Sequence, residues 1–138
     1  MDYRSRMNEE QLKARTKKFA LRVMKLVDAL PNTTSGRAIG NQLVRSGTSV
    51  GSNYRASCRA RSRAEFVSRL GVVEEEADES GFWLELIIDG ELLRANRVKP
   101  LLQEANELTA IMVASRISAG RDTKGRGASP PPRTVGSQ

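Results

Sequence analysis

The stretch LVRSGTSVGSNYRASCRARSRAEF, residues Leu43–Phe66, decides how the rest of the chain is read. Six small residues lie between Ser46 and Ser52, four arginines follow between Arg55 and Arg63, and Ser62-Arg-Ala-Glu65 then leads into Phe66. A serine three residues ahead of a glutamate, directly before an apolar run, is a helix-start signature. Its hydroxyl and carboxylate satisfy N–H groups that the first turn leaves orphaned. The stretch therefore reads as the end of one helix, a tight corner and the start of the next. Gly40, Gly47 and Gly51 each cost about 1 kcal/mol relative to alanine in a helix interior. Three such costs point to close approach of a neighbouring helix, which a missing Cβ permits.

Upstream of the corner, Ile39, Leu43, Val50 and Tyr54 fall within roughly 60° of one another at 100° per residue. Arg37, Arg45, Arg55 and Arg59 fall within roughly 80° on about the opposite side. Ser35 is placed to cap this second helix, and between Ala29 and Ala64 no acidic residue neutralises the arginines. The first helix opens at Asn8, an N-cap followed by Glu9 and Glu10, where the helix dipole favours acids. Leu12, Thr16, Phe19, Val23, Leu26 and Leu30 recur at three- and four-residue steps, with Lys13, Lys17, Lys18, Arg22 and Lys25 off that stripe. Pro31 ends the helix and residues 32–36 make the turn.

Downstream, Phe66, Leu70, Val73, Ala77, Leu84 and Ile88 form the core stripe of a long third helix, with Glu74, Glu75, Glu76, Asp78 and Glu79 on its polar side. Past Ser80 the pattern changes. Phe82, Trp83, Leu84, Leu86, Ile87 and Ile88 point all the way round, and a helix apolar on every side must be covered on every side. Another copy of the chain is the expected cover, with Phe82, Trp83, Leu86 and Ile87 as the interface. Gly90 is placed as a C-cap, Glu91 to Arg97 connect, with Leu92 and Leu93 tucked in, and Pro100 sits where a first-turn proline is tolerated. Leu101, Ala105, Leu108 and Met112 mark a fourth helix that frays near Ile117 to Ala119. From Gly120 the chain is rich in Gly, Pro and Ser and is expected to be disordered. Four helices with short links predict an all-α, up-down-up-down antiparallel four-helix bundle. The bundle spans residues 8–119, between a flexible N-terminus (1–7) and a basic tail (120–138).

Composition narrows the chemistry. At 138 residues the chain makes one domain with room for a core of its own. Its single cysteine, Cys58, excludes an internal disulfide and suits a reducing compartment. Histidine is absent, which removes the commonest general base, metal ligand and neutral-pH switch together. No apolar run approaches the roughly 20 residues that span a bilayer, and the polar, basic start is unlike a signal peptide. A cytoplasmic protein without membrane contact is expected. The net charge of +7 is uneven: residues 1–69 carry 15 Lys and Arg against 5 Asp and Glu, residues 70–119 carry 4 against 10, and residues 120–138 carry 4 against 1. Such asymmetry fits either a basic face for polyanions or complementary faces for self-association.

The runs Ile39-Gly-Asn-Gln-Leu, Arg45-Ser-Gly-Thr-Ser-Val-Gly-Ser-Asn-Tyr, Arg59-Ala-Arg-Ser-Arg-Ala-Glu-Phe, Glu74-Glu-Glu-Ala-Asp-Glu and Gln103-Glu-Ala-Asn-Glu-Leu carry a family resemblance. The chain resembles the bacterial four-helix bundle proteins first noted as reading frames inside intervening sequences of large-subunit ribosomal RNA genes. The resemblance covers about residues 8–119 and implies an up-and-down bundle that assembles into a homopentameric, barrel-like ring. A related branch, the accessory proteins of diversity-generating retroelements, is similar in fold and is associated with nucleic acid and a reverse transcriptase. No settled biochemical activity comes with the family, and the Pro-rich tail has no counterpart in its pattern.

Enzymatic chemistry finds little support in the residues. Glu75 and Glu79 have the spacing of carboxylates in helical di-metal sites, but those sites also take a Glu-x-x-His pair. A solvated acidic face pairing with arginines is the plainer reading. Cys58 lies among arginines that could lower its pKa, yet it has no histidine base, and Gly40, Gly47 and Gly51 do not match a phosphate-binding loop. A non-enzyme without metal or cofactor is expected. Nucleic-acid binding instead needs Arg or Lys clustered on one surface, and Arg37, Arg45, Arg55, Arg59, Arg61 and Arg63 are the candidates. Aromatic side chains for stacking on bases are few. Alternatively, these arginines solvate a bundle face or bridge to acids of the third helix. Asn53 and Glu65 read as structural polar groups at the corner. The expected function is non-catalytic, oligomeric binding of RNA or DNA. The alternative is an oligomeric adaptor for a protein partner such as a reverse transcriptase.

Overall fold

A computed structural model describes residues 7–125, with side chains through Arg121. Its helices are α1 (Glu9–Val27), α2 (Thr34–Ser57), α3 (Arg63–Asp89) and α4 (Ala95–Gly125). Short links reverse the chain each time, so helices adjacent in sequence are antiparallel neighbours, and α1 and α4 close the bundle along its sparsest seam. The described residues contain no strand. The all-α bundle expected from the periodicity is the fold observed. What the sequence suggests for residues 1–6 and 126–138 lies outside the described residues; Met7, placed in the flexible N-terminus, is half-buried against the core.

Helix ends follow local chemistry, not always at the expected residue. Asn8 Oδ1 accepts from the Gln11 N–H at 2.8 Å while Gln11 Oε1 accepts from the Asn8 N–H at 2.9 Å, a reciprocal capping box. Thr33, not Ser35, caps α2, its hydroxyl accepting from the Gly36 N–H at 3.0 Å. Gly36 makes this turn possible, because a Cβ there would lie 2.1 Å from the Pro31 carbonyl oxygen. At α3, Ser62 Oγ accepts from the Glu65 N–H as expected, but Glu65 reaches past the cap to the Arg61 N–H at 3.1 Å.

The exit from α3 departs further. Gly90 has φ −83°, and the left-handed residue is Glu91 at φ 56°, which lets the Leu92 N–H bond the Ile87 carbonyl. Because α4 starts at Ala95, Pro100 lies in its second turn rather than its first. Pro100 leaves the Asn96 carbonyl without its helical donor; both residues are exposed, so water can serve that carbonyl. The helix also continues through Gly120 to Gly125, past the expected fraying point. One glycine costs only about 1 kcal/mol in a helix already nucleated.

On α1 the buried stripe is Leu12, Thr16, Phe19, Val23 and Leu26, as the spacing requires. On α3 it runs Leu70, Val73, Ala77, Leu84 and Ile87, while Phe66 and Ile88 are half-buried flanks. Ile87 thus belongs to the chain's own core and not to an outer interface. It follows Leu84 by nearly one turn on the same side. Buried hydroxyls find partners: Thr16 donates to the Leu12 carbonyl at 2.8 Å and Ser57 to the Tyr54 carbonyl at 2.6 Å. The Ser80 hydroxyl lies 2.9 Å from both Ser46 Oγ and the Glu76 carbonyl, tying α3 to α2.

Between α1 and α2 the glycines take the role expected of them. A Cβ on Gly47 would stand 2.8 Å from both methyls of Val23, and one on Gly40 would stand 3.2 Å from Val27 Cγ1. On Gly51 it would stand 3.4 Å from the Thr16 carbonyl oxygen. Gly47→Ala should lower stability by about 1 kcal/mol, since overpacking at roughly 1–3 kcal/mol outweighs the roughly 1 kcal/mol gained in helix propensity. Glu91→Gly should raise it by about 1 kcal/mol by relieving a left-handed residue. Urea unfolding followed by circular dichroism reads both, and shifts of the opposite sign would contradict this packing.

Candidate nucleic-acid interface

Because the glycines bring α1 and α2 together, the outward faces of the two helices merge. Antiparallel packing sets Gly47 against Val23 and Gly51 against Thr16, which carries Arg55 towards Lys13. An open groove of about 590 Å³ lies there, lined by Lys13, Lys17 and Arg55 and by the small residues Ala14, Ala20, Thr48, Gly51 and Ser52, with Glu10 also beside it. Lys13 is partly neutralised by Glu9 at 3.8 Å and Glu10 at 3.5 Å. Lys17 and Arg55 are exposed, and among the described residues no carboxylate is within ion-pair distance of either. Attention confined to α2 misses the two lysines. The signal that finds them is the glycine row, which sets the register between the helices.

The six candidate arginines do not form one patch. Arg55, Arg59 and Arg61 are exposed at or near the α2–α3 corner, and Arg63 is half-buried at the start of α3. Arg37 stands about 27 Å from Arg55 along the helix axis, where its guanidinium donates to Asn32 Oδ1 at 2.8 Å. Arg45 turns to α3 and bridges Glu76 at 3.3 Å and Glu79. The Glu79 hydrogen bond is the main reason the Arg45 pKa is raised. In turn, Arg45 and then the Trp83 indole N–H, 3.0 Å away, hold Glu79 below the ordinary carboxylate value. Arg45 is therefore an intramolecular bridge, whereas Arg55 and Arg59 face solvent.

Elsewhere the structure gives the chemical candidates structural surroundings. Cys58 is buried, and burial, then a hydrogen bond with Glu9, pushes its thiol up to about 12. The neighbouring arginines do not lower it, because Arg59 and Arg61 face water while the thiol does not. A thiol protonated at neutral pH is a poor nucleophile. Among the described residues, no group of three or more His, Cys, Asp or Glu side chains could hold a metal. No helix among them is long and apolar enough to cross a membrane. Asn53 Nδ2 donates to the Ser49 carbonyl at 2.9 Å, and the Arg61 N–H, then Arg69, hold Glu65 below the ordinary carboxylate value. Of the apolar residues expected at an outer surface, Phe82 is 51% exposed and meets Trp83 edge-on at 5.0 Å, while Leu86 is half-buried.

The sequence model of the 23S rRNA-intervening sequence protein family matches residues 9–114, from the start of α1 well into α4. Among solved structures, a protein of unknown function from the S23 ribosomal protein family of Bacteroides thetaiotaomicron is 30% identical. It superposes with a TM-score of 0.73, covering 80% of this chain and 98% of its own. No curated protein sequence matches the chain.

The Arg45–Glu79 bridge sets an acid dependence. Folding lowers the Glu79 pKa, so its contribution is present above the ordinary carboxylate value of about 4.3 and is lost as the pH falls through the depressed folded value. Arg45→Gln should lower the melting midpoint by about 1–2 °C at neutral pH, the size expected of a surface pair. That difference should shrink in acid. Thermal melts from neutral pH downward test it, and a difference independent of pH would count against the bridge.

Proposed function

The chain belongs to the family of 23S rRNA-intervening sequence proteins, and on that premise we propose that it is a non-catalytic, homo-oligomeric nucleic-acid-binding bundle. The observation that carries the reading is the groove between α1 and α2, where Lys17 and Arg55 face solvent without a carboxylate partner among the described residues. Small walls let a sugar–phosphate backbone approach the helices closely, and Arg59 and Arg61 extend the positive surface to the corner. Binding of this kind releases counterions and reads phosphates rather than bases. It takes either RNA or DNA, in keeping with the few aromatic side chains. A protonated, buried thiol and the absence of histidine support a non-catalytic role, and the reducing compartment that suits Cys58 is the cytoplasm.

Self-association rests on the exposed Phe82 with Trp83 and Leu86 beside it. Covering this patch with another copy removes apolar surface from water. The homopentameric ring implied by the family resemblance repeats the basic groove on each subunit, which raises avidity for a long polyanion without any new contact. Phe82→Glu should shift the chain to a smaller species in sedimentation velocity without loss of helicity, because an unpaired charge would be buried at the contact. A monomeric unmodified chain at micromolar concentration would remove the oligomer from the reading.

Replacing Lys17, Arg55 and Arg59 together with Glu should abolish binding of single-stranded RNA, measured by fluorescence anisotropy, and leave the helical signal intact. For the unmodified chain, the log–log slope of affinity against salt should be about −0.7 per phosphate contact on a single strand. Weak, salt-insensitive affinity that the triple variant does not change would favour the second reading, an adaptor that offers the Phe82 patch to a protein partner.

A further inference from the structure

α1 has a second basic flank, turned away from α2 and towards α4. Near the start of α1 this seam is neutralised: Arg15 donates from Nε to Glu104 at 2.7 Å and from NH2 to Glu104 and Glu107 at 2.8 Å each. Two turns further along the pattern stops. A groove of about 220 Å³ is lined there by Arg22 and Lys25 of α1, Arg97 of α4, and the buried Leu26 and Leu101. Among the described residues no carboxylate is within ion-pair distance of Arg22, Lys25 or Arg97. Three like charges around one concavity repel each other across the sparsest helix–helix seam of the bundle. That repulsion is relieved by an anion placed between them, and two guanidinium forks with an ammonium suit a phosphate oxyanion.

We propose that this α1–α4 groove is a second phosphate-binding site, so that a nucleic-acid strand engages α1 on both of its flanks. The proposal rests on the reading that the ligand is a nucleic acid. The two grooves are offset by about 12 Å along α1 and by about 10 Å across it, a span that a few nucleotides cover. Leu21 and Met24 stand exposed on α1, whose outer side lies between the two basic flanks.

Salt-dependent binding of a fluorescein-labelled single-stranded RNA to the full chain tests the proposal. The comparison takes the unmodified protein, Arg22→Gln with Arg97→Gln, Arg22→Lys with Arg97→Lys, and Arg55→Gln with Arg59→Gln. The first double variant should weaken binding several-fold at low salt and bring the log–log slope closer to zero by about 1.4, two neutralised phosphates at about 0.7 each. The lysine pair should retain most of the affinity, because it keeps the charge. Should the glutamine pair prove unstable by circular dichroism, Lys25→Gln at an exposed position reads the same site by removing a single charge. Unchanged affinity and slope in the Arg22/Arg97 variant, with weakening in the Arg55/Arg59 variant, would overturn the second site and leave the α1–α2 groove standing. Weakening only in the Arg22/Arg97 variant would sustain the second site and remove the first. Equal losses with lysine and glutamine would overturn the proposal, since charge would not be the cause. Absence of binding by the unmodified chain would overturn both.

Discussion

The contact of Gly47 with Val23 is the constraint on which the rest of this bundle depends. Any side chain at position 47 would meet both Val23 methyls at less than contact distance. Gly40 and Gly51 continue the same close seam. Two helices that approach so closely cannot slide without a clash, so the seam fixes register as well as distance. From that register follows the groove, because Arg55 is carried to the level of Lys13 and Lys17 with only small residues between. An isolated α2 would present its arginines as scattered charges.

Electrostatics divides the molecule along the same lines. Acids on α3 and α4 take up the cations that face them: Glu76 and Glu79 engage Arg45, Glu74 engages Arg116, and Glu104 and Glu107 engage Arg15. These pairs are mostly solvated at the surface and add little stability singly. Their larger effect is to decide which cations are left facing solvent. Among the described residues, no carboxylate is within ion-pair distance of Lys17 and Arg55 in the α1–α2 groove or of Arg22 and Lys25 on the opposite flank of α1. The uneven distribution of charge along the sequence becomes, in three dimensions, an acidic α3–α4 half and a basic α1–α2 half.

Much of the fold is legible in the sequence because it rests on periodicity and capping. The stripe from Leu12 to Leu26, the Ser62 cap and the role of the three glycines follow from spacing alone. Less legible are features set by tertiary contact. Ile87 and Ile88 both fit a crowded apolar run, and only packing against the rest of the bundle places Ile87 inside. The α3 exit uses Glu91 in the left-handed region beside a glycine better suited to it, a choice that local propensity argues against. Pro100 is displaced by one turn because α4 begins earlier than its first apolar residue suggests. The candidate site is half legible: Arg55 and Arg59 are evident, whereas Arg45 is claimed by acids more than thirty positions downstream. Lys13 and Lys17 join the site only through the α1–α2 register.

Lysine footprinting by limited acetylation and mass spectrometry tests the central claim most directly, with the full chain in the presence and absence of single-stranded RNA at low salt. Lys17 and Lys13 should become protected on binding, while Lys99, exposed on α4, should react as before. Equal reactivity of Lys17 with and without RNA, under conditions where RNA is bound, would contradict the account.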